Sequence, residues 1–211
     1  MSKLEEIASA VERGKSKLVP GLVEEAIDEG FDPVEILNRG MIDAMSVVGE
    51  KFKNNEIFVP EMLVAARAMK KGVEVLKPHL VGDGDVTIGK AVIGTVQGDL
   101  HDIGKNLVCL MVESAGFEVQ DLGVDVPTEK FVEAAADPAV RIVGVSALLT
   151  TTMPAMRATV AALNAAPNRE NFKVMIGGAP ITQEFADEIG ADAYTPDAAT
   201  CASVAKAFVV G

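Results

Sequence analysis

The chain reads as an α/β protein: a five-stranded parallel sheet in the order 2-1-3-4-5, preceded by an all-α four-helix bundle. Three observations lead there. Residues 1–80 repeat apolar positions every three or four residues. From Lys90 onward, short β-rich runs alternate five times with helical stretches. Between the two regimes lies VGDGDV (81–86), whose two glycines and two aspartates break the periodicity and mark a domain boundary, giving domains 1–85 and 86–211.

The first two helices carry the short stripes Leu4, Ile7, Ala8, Val11 and Leu18, Leu22, Ala26. The third opens on Asp32 as N-cap with Pro33 in its first turn, and its stripe runs Val34, Leu37, Met41, Met45, Val48, Phe52. The fourth follows Pro60 with Met62, Ala66, Met69, Val73, Leu76 and Leu80. Four short-looped amphipathic helices imply a small antiparallel bundle. Beyond the linker, the strand and helix pairs are KAVIGTV with 103–115, FEVQDLGV with 127–136, RIVGVSA with 152–165, KVMIGG with 180–189, and ADAYT with 196–208. Five such units imply a parallel sheet covered on both faces, for which the flavodoxin-like order is a common arrangement.

The chain has 211 residues, of which 49% are apolar, enough for one medium and one small core. Its net charge of −12, from 31 acidic against 19 basic residues, argues against nucleic acid or an anionic membrane surface as partner. Cys109 and Cys201 lie far apart outside any paired motif, and read as two buried thiols in a reducing compartment. No apolar run approaches the ~18 residues that span a bilayer, and the N-terminus lacks a signal-peptide core. A cytoplasmic protein is expected.

In a sheet of order 2-1-3-4-5, ligands collect beyond the strand ends where the chain reverses, between strands 1 and 3. The loops there are GDLHDIG (98–104) and SALLTTT (146–152), with GGAP (177–180) next along the edge. His101 therefore faces Ser146, Thr150 and Thr152, while Gly98, Gly104, Gly177 and Gly178 leave backbone open to a large ligand. A histidine beside Asp99 suits a metal ligand whose tautomer is fixed by the carboxylate, and equally a general base. A self-sufficient zinc site would want three or four protein ligands, and the crevice holds no other His or Cys. The plainer alternative is an ordinary βα loop in which Asp102 caps the next helix and Asp99 serves a turn.

These residues match a family pattern. Asp99-Leu100-His101-Asp102-Ile103-Gly104 fits D-x-H-x-x-G, Ser146-Ala147-Leu148 fits S-x-L, and Gly177-Gly178 fits a glycine pair. Over essentially its whole length the chain resembles the cobalamin-binding corrinoid proteins of methyltransferase systems and the corrinoid module of methionine synthase. The resemblance implies that His101 replaces the benzimidazole of cobalamin as lower ligand of cobalt, base-off and His-on, with Asp99 and Thr152 extending the hydrogen-bond relay. It further implies that the displaced tail runs past Asp102, Ile103 and Gly104 into a pocket lined by Ser146, Leu148, Thr150, Gly177 and Gly178.

The helical bundle would cap the upper face, through Phe58, Val59 and Met62, with VGDGDV as hinge. The implied role is a carrier that cycles between methylcobalamin and cob(I)alamin. It would shuttle a methyl group from a substrate-specific methyltransferase to a second methyltransferase acting on a pterin or thiol, and be served by a reductive activation protein. A subunit of an adenosylcobalamin mutase and a cobalamin-dependent sensor share the corrinoid motifs and stand as alternatives.

Overall fold

The computed structural model describes residues 2–80 and 87–210, and the VGDGDV segment, with the boundary and hinge assigned to it, lies outside them. The chain divides into two compact units, Met1–Val86 together with Ser114–Gly116, and Thr87–Glu113 together with Phe117–Gly211.

The helical unit begins with α1 (Lys3–Glu12), where Ser2 Oγ accepts the Glu5 N–H and Glu5 reaches back to the Ser2 N–H at 2.8 Å, a reciprocal cap. Helix α2 (Val19–Asp28) buries Val19, Val23 and Ala26, one position away from the expected Leu18 and Leu22. Both stripes have helical spacings of three or four residues, so periodicity alone does not choose between them; packing against α1 and α5 does. Next, α3 (Pro33–Glu35), a π-helical segment (Ile36–Ile42) and α4 (Asp43–Lys53) run on as one helix, with Asp32 capping the Val34 and Glu35 N–H groups. The π segment widens the turn where α1 crosses it, and Gly40 lets Ile7 approach, since a Cβ there would stand 3.1 Å from Ile7 Cγ2. Helix α5 (Val59–Leu76) ends before Pro78, which leaves Leu80 beyond the stripe assigned to it.

In α5, Met62 is 0% exposed, a core residue of the bundle and not a face residue. Phe58 is the N-cap and is 65% exposed, its N–H bonded to Glu61.

The second unit is a parallel sheet in the order β2-β1-β3-β4-β5, as the sequence predicts. The strands are β1 (Lys90–Val96), β2 (Glu118–Val126), β3 (Val140–Ser146), β4 (Lys173–Gly177) and β5 (Ala193–Tyr194). The helices are α6 (Ile103–Ser114), α7 (Thr128–Ala135), α8 (Met153–Asn164), α9 (Gln183–Ile189) and α10 (Ala198–Val210). Alternation along the strands sorts the core. Val92, Val143, Val145, Val174 and Ile176 pack with Phe131 of α7, Met156, Val160 and Leu163 of α8, and Phe185 and Ile189 of α9. Ala91, Ile93, Ile142 and Met175 are buried on the opposite face. Right-handed crossovers put α6 on that side, because the chain leaves β1 toward β2 and returns past it to β3.

The reversal between β1 and β3 opens the crevice that the site occupies.

Candidate functional site

Strand β1 ends at Val96, and the loop that follows folds back on itself around Asp99. Asp99 is 0% exposed, and both its oxygens are fully engaged. Oδ1 accepts the His101 N–H at 3.0 Å and stands 2.8 Å from His101 Nδ1; Oδ2 accepts the Leu148 N–H at 2.7 Å and the Thr152 hydroxyl at 2.8 Å. Burial opposes the charge, and these four hydrogen bonds overcome it, holding the carboxyl well below the usual carboxylate range. Thr152 has one hydroxyl hydrogen to share between Asp99 and the Leu149 carbonyl at 2.9 Å.

With an ionised carboxylate at Nδ1, the proton of a neutral His101 belongs on that nitrogen and the Nε2 lone pair is free. Nε2 forms no hydrogen bond among the described residues, and the ring is half exposed, at 51%. Thr95, itself buried, donates to the His101 carbonyl at 3.0 Å, so the histidine is held at its amide, its carbonyl and its ring. Around it lie large apolar side chains in solvent: Leu100 at 73% exposed, Ile103 at 86%, and Leu148 and Leu149.

The remaining site residues of the sequence fall into two groups. Ser146 ends β3 in register with Thr95 on one side and Gly177 on the other, at the centre of the sheet edge. Gly178 has φ +130°, and a Cβ there would come within 1.8 Å of the Ala147 carbonyl oxygen, so close packing of the two loops already demands glycine. Gly104 is the opposite case: a Cβ would meet nothing within 4 Å. Asp102 is exposed and bonds only locally, to Asn106 at 3.2 Å. Thr150 is exposed, and its hydroxyl joins no hydrogen bond among the described residues.

Three groups escape a reading of the sequence. Thr95 sits in an apolar run and looks like core. Lys105 is buried and bridges Asp121 at 2.5 Å and Asn106 at 2.7 Å, tying the first turn of α6 to β2. Asp125, in the left-handed backbone region, accepts the Gly98 N–H at 2.7 Å. Cys201 is buried, whereas Cys109 is half-buried rather than buried; burial pushes their thiols up to about 11 and about 12, which makes both poor nucleophiles.

No group of three or more His, Cys, Asp or Glu side chains able to hold a metal exists among the described residues. A single imidazole with an open nitrogen, ringed by exposed apolar side chains at a topological switch point, defines a module for a large ligand that brings its own metal.

The comparisons with known proteins specify that class. Two family models, each described as a B12 binding domain, match residues 3–77 and 89–204. The dimethylamine corrinoid protein 1 of Methanosarcina acetivorans is 46% identical over 204 residues, covering 96% of this chain and 95% of its own length. A cobalamin-binding protein of Desulfitobacterium hafniense has a similar structure, with a TM-score of 0.82 and 33% identity, covering 98% of both chains. The methanol:cobalamin methyltransferase complex of Methanosarcina barkeri contains a chain that matches with a TM-score of 0.83 and 30% identity, over 99% of this chain and 80% of that one. The chain belongs to the B12-binding family, as a corrinoid protein of a methyltransferase system, and its cofactor is cobalamin.

The site suits that cofactor. Cobalamin is a large, partly apolar ligand whose cobalt can take an imidazole nitrogen, and the open Nε2, the exposed leucines and isoleucine and the open space at Gly104 are compatible with it. No helix among the described residues is long and apolar enough to cross a membrane.

Proposed function

We propose that this protein binds cobalamin with the cofactor's own base displaced and His101 Nε2 in its place, and carries a methyl group between two methyltransferases. When bound, cobalamin supplies the chemistry, accepting and donating methyl groups at cobalt. The chain supplies orientation and charge. Asp99 holds the Nδ1 proton, which leaves the Nε2 lone pair directed outward. If a proton arrives at Nε2, the resulting imidazolium already faces a carboxylate, and Thr152 and the Leu148 N–H keep that carboxylate charged. Leu100, Ile103, Leu148 and Leu149 offer apolar surface for the ring, and Gly104 opens the start of α6 to the displaced tail, with Asp102, Ser146, Thr150, Gly177 and Gly178 around its path. The helical unit acts as the cap, with Phe58 and Val59 on its exposed end.

The single observation that carries this reading is the buried Asp99 bonded at once to His101 and Thr152, with the other imidazole nitrogen open. The names of the relatives support methylated amines or methanol as donor class. The partners are a substrate-specific methyltransferase, a second one acting on a pterin or thiol, and a reductive activation protein.

The test is electron paramagnetic resonance of the cob(II)alamin form, with the cofactor labelled at its benzimidazole nitrogen. Wild type should show nitrogen splitting from a protein imidazole, and His101→Ala should lose it. Splitting from the labelled benzimidazole in wild type would overturn base displacement.

A further inference from the structure

Strand β2 does not run evenly beside β1. Ile93 pairs with Asp121, Gly94 with Gly123 and Val96 with Val126, so β2 has one extra residue in each interval. These two bulges fall where β1 delivers the chain to the histidine loop, and bulges re-aim side chains beside sites. The second contains Asp125, at φ +51°. Among the described residues only one other non-glycine, Asn55, has a positive φ. Glycine is the ordinary occupant of such backbone, and an aspartate there commonly repays its cost with a local side-chain bond.

Asp125 does not bond locally. Its Oδ1 accepts the Gly98 N–H, 27 residues away, at 2.7 Å, and its own N–H donates to the Asp99 carbonyl at 2.9 Å. The two bonds clamp adjacent residues of the loop from one residue of the neighbouring strand. Gly98 itself has φ +82°, a conformation that local geometry alone holds weakly. The clamp fixes the backbone from which the Asp99 carboxylate projects, and that carboxylate sets the orientation of the His101 ring.

We infer that Asp125 is a positioning residue for the cobalt-ligating histidine, acting through the Gly98-Asp99 backbone. This rests on the reading of His101 as the ligand. The required bulge, the left-handed conformation and the carboxylate belong to one device. Glycine at 125 would keep the backbone and its N–H bond to Asp99 but lose the bond to Gly98, asparagine would keep all three, and this separates positioning from folding.

The experiment compares the full-length wild type with Asp125→Gly and Asp125→Asn, first without cofactor. Amide exchange at Gly98 and the ring-nitrogen shifts of labelled His101 are followed by nuclear magnetic resonance. A bond from a backbone N–H to a carboxylate predicts roughly ten- to hundredfold faster Gly98 exchange in Asp125→Gly, with His101 spread over both tautomers. Asp125→Asn keeps an acceptor and loses only its charge, so Gly98 exchange should rise by less than about tenfold and stay below that of the glycine variant. Reconstituted with cobalamin and reduced to cob(II)alamin, the glycine variant should show a smaller imidazole-ligated fraction, and the asparagine variant a normal one.

Wild-type Gly98 protection and a single Nδ1–H tautomer in Asp125→Gly would overturn the inference, as would an asparagine variant as perturbed as the glycine one. Failure of the ligand reading registers separately, as benzimidazole splitting in wild type or as imidazole splitting that survives His101→Ala.

Discussion

Replacing Gly104 by alanine should move stability and cofactor affinity in opposite directions. Gly104 is the second residue of α6, and it is absent from the positive-φ glycines. A Cβ built there meets nothing within 4 Å, so the methyl group enters without a clash. Alanine in a helix is favoured over glycine by up to ~1 kcal/mol, and in the first turn by about half of that. For a domain of this size the cofactor-free protein should therefore melt about 2 °C higher. The same methyl group stands where the cofactor is proposed to approach the backbone. Forcing an extra methyl into a filled contact costs roughly 1–3 kcal/mol, so Kd for cobalamin should rise about 5- to 150-fold. Calorimetric melting of the cofactor-free protein and an absorbance titration with hydroxocobalamin supply the two numbers. A stabilised variant with unchanged Kd would refute the assignment of this glycine to the cofactor, and a destabilised one would refute the open space on which the reasoning depends.

Substitutions at three further positions probe the Asp99 hydrogen bonds and the loop packing beside them. In Asp99→Asn, an amide NH2 must face either the Leu148 or the His101 backbone N–H, so urea unfolding should show a loss of about 2–4 kcal/mol. Because folding holds the Asp99 carboxyl below its unfolded value near 3.9, its contribution is complete above that pH and is lost as the pH falls through the folded value. Between pH 5 and 2 the stability of wild type should therefore fall more steeply than that of Asp99→Asn, and parallel curves would count against the depressed carboxyl. Thr152→Val keeps the shape and deletes the hydroxyl, for an expected loss of ~1.5–3 kcal/mol, whereas Thr152→Ser should stay within ~1 kcal/mol; equal losses would point to packing instead of the bond. Gly178→Ala has to push Ala147 aside and hold a backbone conformation reserved for glycine, so we expect a loss of at least ~3 kcal/mol in thermal unfolding or no soluble protein.

Periodicity exposes most of this fold because the central strands are buried on both faces, which leaves uninterrupted runs such as KAVIGTV, whose predicted span is that of β1. It locates β2 less well. The FEVQDLGV run stops at Val124, yet the strand continues to Val126, since positive φ at Gly123 and Asp125 lets it pass two bulges that no hydropathy pattern encodes. The π segment is invisible for a related reason. Met41 and Met45 keep helical spacing through it, and the wider turn answers to Ile7 on another helix. In the candidate site, loop chemistry makes His101, Asp99 and Thr152 readable. Thr95 and Asp125 are not, because one is a small polar residue in a core strand and the other acts on a residue 27 positions away. Gly177-Gly178 reads as a ligand surface, while at 178 the structure gives glycine a reason internal to the protein.

The bonds that complete the Asp99 carboxylate come from far along the chain: Leu148 is 49 residues later and Thr152 is 53. During synthesis at ~5–20 residues per second, the histidine loop exists for roughly 3–10 s before those partners have been made. In that interval Asp99 lacks two of its four donors, β3 has yet to pair with β1, and the ring of His101 has no fixed orientation. Contacts of such separation also close slowly after release, because long loops must be ordered first. A nascent chain therefore lacks the finished Asp99–His101 arrangement that the proposed binding of cobalamin requires. On the proposed reading, loading with the cofactor is therefore a step that follows synthesis of residue 152 and cannot accompany synthesis of the histidine loop itself.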